Sequence, residues 1–355
     1  MAWKGLLVAL QGANVPGFLR TAGSSIDSIT TLEVSDLVTS FRTPRGTLRA
    51  VDGLSLKVPA GKTVCIAGES GCGKSVTALS IMGLLPDNAR IEAGQIHFRG
   101  QDLVQLDAGA RRKLRGRELA MIFQEPMTAL NPVLSVGEQI AEVFRIHGTA
   151  GAKEARERAL QMLQQVKIPD ALRRYGEHPH QMSGGMKQRV MIAMALAHHP
   201  ALLIADEPTT ALDVTIQAQV LNLLADLQRE LGMAIVFVTH DLAVVAEIAD
   251  EVLVMYAGKV VEKAPVNQLF EQPAHPYTVG LLGARPRPGQ TRHDGSSLNV
   301  IPGSLPALHE RGLGCRFRAR CPRAFARCAE AEPPLQPVAP GSAHEAACFL
   351  LAEAA

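Results

Sequence analysis

The stretch GESGCGKS, residues 68–75, places glycines, a lysine and a serine at a spacing that can wrap a phosphate chain. Glycines let main-chain N–H groups turn inward around phosphate oxygens, Lys74 can reach the β- and γ-phosphates, and the Ser75 hydroxyl can bind Mg²⁺. Gly68, Glu69, Ser70, Gly71, Cys72, Gly73, Lys74 and Ser75 are therefore all candidate nucleotide-binding positions. An apolar run, TVCIAG, precedes the loop and a helical pattern, SVTALSIMGLL, follows it, so a helix N-terminus adds its partial positive charge to the anion site. The same placement predicts a lowered pKa for Cys72, with alkylation blocking ATP binding and ATP protecting the thiol.

A loop of this kind serves kinases, GTPases and ATPases alike, and the residues downstream narrow the choice. ALLIAD, 201–206, is an apolar run that delivers Asp206 and Glu207 side by side at a strand end. Asp206 can hold Mg²⁺ through water, while Glu207 can polarise a water for in-line attack on the γ-phosphate. MSGGM, 182–186, sets Ser183, Gly184 and Gly185 ahead of a long helical run, a second helix end suited to phosphate. One ATP already has its loop at 68–75, so this second end has no ligand in its own monomer. A head-to-tail dimer, in which each chain's Ser-Gly-Gly closes on the other's nucleotide, supplies one.

The elements that must position these residues alternate. From TLEVSDLVTSF to LRAVDGLSLKVPAGK, apolar and polar residues take turns, as in a small antiparallel sheet, and IEAGQIHFRGQDL adds a strand pair. Residues 105 to about 200 read as helical throughout. ALLIAD and AIVFVTHD, with the helix VTIQAQVLNLLADLQREL between them, argue a parallel sheet with active residues at the strands' carboxyl ends. EVLVMYAGKVVEK reads as a hairpin. At 355 residues the chain accommodates one large domain and a smaller one. A net charge of +2 and 4% aromatic residues argue against nucleic acid as the partner. No apolar run approaches the roughly 20 residues that cross a bilayer, and GLLVAL near the start is too short for a signal segment. The expectation is a cytosolic chain that meets a membrane only through a partner.

The order of parts resembles the ABC ATPase family: GESGCGKS, Gln124 in MIFQEP, MSGGM, LLIADEP, ALD at 211–213 and His240 in VTHD. The resemblance implies an α/β P-loop NTPase with a parallel-sheet core, an antiparallel β subdomain and a helical subdomain over about 125–195. It would span 31–285, preceded by a flexible extension (1–30) and followed by a small Cys-containing region (286–355). It further implies that Glu207, His240 and Gln124 form the catalytic set, His240 touching the γ-phosphate. Gln124 would also sense the membrane partner and join Ser75 and Asp206 around Mg²⁺, and Asp213 would lie in the loop crossing the dimer seam. Met186 stands where the common family form has Gln, which removes one polar side chain and leaves Ser183 and the main-chain donors. The adenine would stack on Phe41 or Arg45.

QEPMTALNPVLSVGEQI, HPHQMSGGMKQRVMIAMAL, HPYTVGLL at 275–282 and IPGSLP at 301–306 are similar to the dipeptide/oligopeptide/nickel importer branch. That likeness implies a paralogous second ATPase subunit as heterodimer partner, two transmembrane permease subunits and an extracytoplasmic substrate-binding protein, with this chain peripheral on the cytoplasmic face of the inner membrane. The solute, di- or oligopeptide or a related small molecule, would be chosen by the other components. The rival reading is a soluble ABC ATPase acting on nucleic acid or ribosomes; a single cassette, near-neutral charge and the HPYT tail count against it. A regulatory subunit without hydrolysis is disfavoured because Glu207 and His240 are both present.

Cys315, Cys321, Cys328 and Cys348 crowd the tail, enough soft ligands for tetrahedral zinc or a [4Fe–4S] cluster. Pro322 follows Cys321, no Cys-x-x-Cys pair is present, and six arginines from Arg311 to Arg327 could offset thiolate charge. Likeness to tails of the importer branch favours iron–sulfur, ahead of zinc or free thiols.

Overall fold

The computed structural model describes residues 30–124, 129–210, 212–284 and 301–351. The extension expected at 1–30 lies outside the described residues but for Thr30, which opens the first strand. Two sheets form. The smaller is antiparallel in order β2-β1-β4-β5, from β1 (Thr30–Thr43), β2 (Gly46–Pro59), β4 (Ala89–Phe98) and β5 (Gln101–Asp102). The larger runs β11-β12-β10-β9-β3-β8-β7-β6, and its parallel centre is β3 (Thr63–Ala67), β6 (Leu119–Ile122), β7 (Leu202–Asp206), β8 (Ala234–Thr239) and β9 (Glu251–Tyr256). β10 (Lys259–Pro265) turns back antiparallel through Ala257 and Gly258.

Every residue of β3, β7 and β8 is buried, the mark of strands covered on both faces. Their side chains alternate between two cores, as a period of two requires. Cys65, Leu203, Ala205, Ile235 and Phe237 face the helical side, packing with the helices Val136–Ile146, Gly184–Leu196 and Val214–Leu231. Val64, Ile66, Leu202, Ile204 and Val236 face the other, against the helix Lys74–Met82 and the antiparallel sheet.

One strand departs from the sequence reading. Residues 119–122, inside the stretch read as helical, form β6, parallel to β7. LAMI is only four residues long, too short to show a period, and its strand character comes from pairing.

The C-terminal residues join the large sheet. β12 (Glu345–Ala346) pairs with β10, and β11 (Gln336–Pro337) pairs with β12. Glu262 of β10 holds this seam: fully buried, it accepts hydrogen bonds from Ala274 N (2.7 Å) and His275 N (2.9 Å) and lies 2.7 Å from His344 Nε2. Arg316 ties the same tail to Asp52 of β2 and to Glu332.

A buried carboxylate with three partners leaves them all unsatisfied when removed. Glu262→Ala should destabilise the protein by roughly 3–5 kcal/mol and expose the tail to limited proteolysis. Urea denaturation checks this; a loss below about 1 kcal/mol with an intact tail would contradict it.

Candidate functional site

The loop at 68–73 joins β3 to the helix Lys74–Met82 and requires glycine at both ends. Gly68 (φ 152°) has no room for a Cβ, which would meet Met255 O at 2.3 Å, and Gly73 (φ 115°) would press on Ala50 O at 2.7 Å. Ser70 and Gly71 are exposed at the crest. Lys74 is only 4% exposed, and its ammonium curls back to donate to Gly68 O (2.8 Å) and Glu69 O (3.0 Å), 3.9 Å from Glu207 Oε1.

The carboxyl ends of the neighbouring strands bring in the acidic pair. Asp206 ends β7 and accepts from Ser75 Oγ at 3.1 Å. Burial, and next to it the charge of Glu207, hold the Asp206 carboxyl above the usual carboxylate range, against the Ser75 hydrogen bond and Lys74. Glu207 takes a left-handed conformation (φ 47°), rare for a residue with a side chain, pinned by its N–H on Val238 O at 2.9 Å. Its Oε2 accepts from Gln124 Nε2 (3.2 Å) and Thr210 Oγ1 (3.0 Å), and lies 3.1 Å from His240 Nδ1. Gln124 comes from the end of β6 and His240 from the end of β8, so four adjacent strands, counting β3, deliver one charged cluster.

Ser183, Gly184, Gly185 and Asp213 gather at two neighbouring helix ends. Ser183 caps the helix Gly184–Leu196, its hydroxyl accepting from Met186 N at 3.4 Å, and Asp213 caps Val214–Leu231 through Ile216 N at 3.0 Å. The two helix ends meet where Gly185 faces Ile216, a Cβ there falling 2.6 Å from Ile216 Cγ2. Neither capping side chain hydrogen-bonds to residues 68–75. Phe41 is half-buried in β1, and Arg45 is exposed in the β1–β2 turn, 3.4 Å from His309 of the tail.

Three expectations change. Cys72 is fully buried, and burial pushes its thiol up despite Lys74 nearby; the expected reactive thiolate is absent because the helix end's field is outweighed by desolvation. The four tail cysteines do line one cavity, beside His275 and Phe349, and none is in a disulfide. Yet among the described residues no group of three or more His, Cys, Asp or Glu is disposed to hold a metal, so the iron–sulfur expectation, and zinc after it, gain no support. Burial, then mutual repulsion, pushes Cys315 up to about 11, and burial raises Cys321 and Cys348, so the thiols keep their protons unless a ligand displaces them. Of the arginines, Arg318 and Arg323 line that cavity with the thiols, and three others answer groups elsewhere. Arg316 pairs with Asp52 and Glu332, Arg311 reaches Arg49 O, Arg320 pairs with Glu69, and Arg323 acts on Cys321 and Cys348.

Thr210 and Tyr277 were not among the candidates. Thr210 had a local signal, a hydroxyl three residues beyond Glu207 in DEPTT. Tyr277 had none, since its contact with Glu69 spans 208 residues.

The ABC transporter family model matches residues 51–210, and the model for the C-terminal region of oligopeptide/dipeptide transporters matches 261–328. A Sinorhizobium fredii protein, named a probable peptide ABC transporter ATP-binding protein, is 52% identical over 319 residues, 90% of this chain and 94% of that one. A Brucella melitensis protein, named for peptide import ATP binding, is 51% identical over 316 residues, 86% of this chain and 94% of its own. Among solved structures, the ATP-binding cassette MJ0796, as a dimer in a post-hydrolysis state bound to ADP and phosphate, superposes with TM-score 0.60 at 28% identity, over 66% of this chain and 98% of that one. The cbiO1 subunit of a Clostridium perfringens cbiONQ transporter gives 0.59 at 28% identity, over 68% and 91%.

With Cys72 buried, N-ethylmaleimide at neutral pH should label it at least about 10-fold more slowly in the native chain than in urea, because reaction needs an exposed thiolate. ATP should make no difference. Mass spectrometry of the loop peptide checks this, and fast labelling that ATP suppresses would contradict it.

Proposed function

The chain belongs to the ABC transporter family, and from that membership we propose that it is the ATP-hydrolysing subunit of an importer of peptides or related small solutes. The family membership carries the ATPase activity. The peptide substrate rests on the names of relatives about half identical over nearly their whole length and on the oligopeptide/dipeptide match at 261–328.

Each catalytic role rests on the cluster at the strand ends. In this reading Gly68–Ser75 bind the triphosphate, Lys74 neutralises its β- and γ-oxygens, and Ser75, Asp206 and Gln124 hold Mg²⁺. When bound, that ion neutralises charge developing on the transferred phosphoryl group. Glu207 takes the proton of the attacking water, and His240 contacts the γ-phosphate. The convergence of Gln124, Thr210 and His240 on one oxygen of Glu207 is the observation that supports this most, because it aims a carboxylate from three sides.

The other half of the site is the helix end at Ser183, Gly184 and Gly185, offered to the nucleotide of a second ATPase subunit with Asp213 at the seam. Among the described residues the Ser183 hydroxyl bonds its own helix end, which agrees with a ligand arriving from outside the chain. The paired subunit is a paralogue, and the pair drives two membrane permeases fed by an extracytoplasmic binding protein. No helix among the described residues is long and apolar enough to cross a membrane, which fits a peripheral position on the cytoplasmic face. Closure is favoured only while the γ-phosphate bridges both subunits, so hydrolysis releases them.

Glu207→Gln should lower steady-state ATP turnover by about 10²–10⁴-fold, the contribution of a general base, with ATP binding retained in a filter assay. Turnover within about 10-fold of the unsubstituted chain would reject the assignment. Because Asp206 titrates above the usual carboxylate range, protonation on acidification removes a charge needed for the cation. Apparent Mg²⁺ affinity should therefore fall at a higher pH than an ordinary aspartate would dictate, and Asp206→Asn should abolish that pH dependence.

A further inference from the structure

We propose that Tyr277 and Arg320 are positioning residues that hold the phosphate loop in its binding shape, so that residues C-terminal to the cassette set its affinity for ATP. The proposal rests on the ATP site described above.

The loop carries its own anion. Glu69 sits beside the position of a triphosphate, where a free carboxylate repels the ligand. The fold takes hold of all three polar handles of this residue. The carbonyl accepts from Lys74 at 3.0 Å. The main-chain N–H donates to Tyr277 Oη at 3.0 Å, which turns it away from the loop's interior. The carboxylate is drawn off by Arg320, whose Nη1 lies 2.9 Å from Oε2 and whose side chain is 7% exposed. Two of the three holds come from beyond residue 275.

Both partners are fixed in turn. The Tyr277 ring is fully buried, with Tyr256 and Phe317 at 4.7 Å and 5.4 Å between centroids. Its backbone is locked by His275, whose Nδ1 accepts from Tyr277 N at 3.1 Å and whose own N–H is held by Glu262. Arg320 Nε donates to Pro302 O at 2.8 Å, and its guanidinium lies 5.8 Å from the Tyr256 ring centre. Leu305 comes within 3.7 Å of where a Cβ on Gly71 would stand, so the same tail backs the loop's crest. The result is a loop whose one acidic side chain is paired with a guanidinium from the tail.

A carboxylate freed beside the triphosphate should weaken binding, and removing its charge should cure the defect. Binding of radiolabelled ATP to the full-length chain tests this. Tyr277→Phe keeps the ring packing and should raise the dissociation constant about 5-fold, the worth of one hydrogen bond, with kcat changed less than about 2-fold. Arg320→Gln should raise it about 10-fold or more, and Arg320→Gln combined with Glu69→Gln should return it to within about 2-fold of the unsubstituted chain. That rescue is the deciding result, since a residue that merely supports the tail would not be cured by neutralising Glu69. Binding unchanged in Tyr277→Phe and Arg320→Gln overturns the proposal, as does a lowered melting temperature with lost binding that Glu69→Gln leaves uncorrected. Should the unsubstituted chain bind no ATP, the ATP site itself is refuted, a distinct failure.

Discussion

The structure turns on confining a buried ammonium and two carboxylates at the ends of adjacent strands. Lys74, Asp206 and Glu207 are each less than a tenth exposed, and charges so placed are costly unless neighbours satisfy them. Lys74 is satisfied by two carbonyls of its own loop, Asp206 by Ser75, and Glu207 by Gln124, Thr210 and His240. Such a cluster keeps its geometry only if its supports are rigid. β3, β7 and β8, buried throughout and packed on both faces, supply that rigidity and hold Glu207 in its left-handed conformation.

How much of this could be read from the residues follows from the distance over which each feature is determined. The phosphate loop, the acidic pair and the Ser-Gly-Gly helix end are contiguous, so residue types and spacing disclosed them. The long apolar runs disclosed β7 and β8, and the YAGK turn disclosed the hairpin of β9 and β10. β6 escaped because four residues carry no period. Cys72 was misread because a helix end was visible in the sequence while the packing that buries its thiol was not. The tail arginines illustrate the same limit. Their count suggested counter-charges for thiolates, but Arg320 and Arg316 answer carboxylates 251 and 264 residues away.

Seen together, the two halves of the chain share one task. Glu262 and β12 stitch the C-terminal residues to the large sheet, and from that anchorage Tyr277 and Arg320 reach the phosphate loop. The Ser183 hydroxyl caps its own helix. In the proposed reading, the ATPase completes its site against a second subunit, and the γ-phosphate is the group that decides whether the two stay together.

The mass of the Glu207→Gln chain with its paired ATPase subunit, measured by light scattering under Mg-ATP and then under ADP, tests that claim most directly. The account predicts a closed pair with ATP that separates when ADP replaces it. Saturating ATP binding with no change in mass would contradict it.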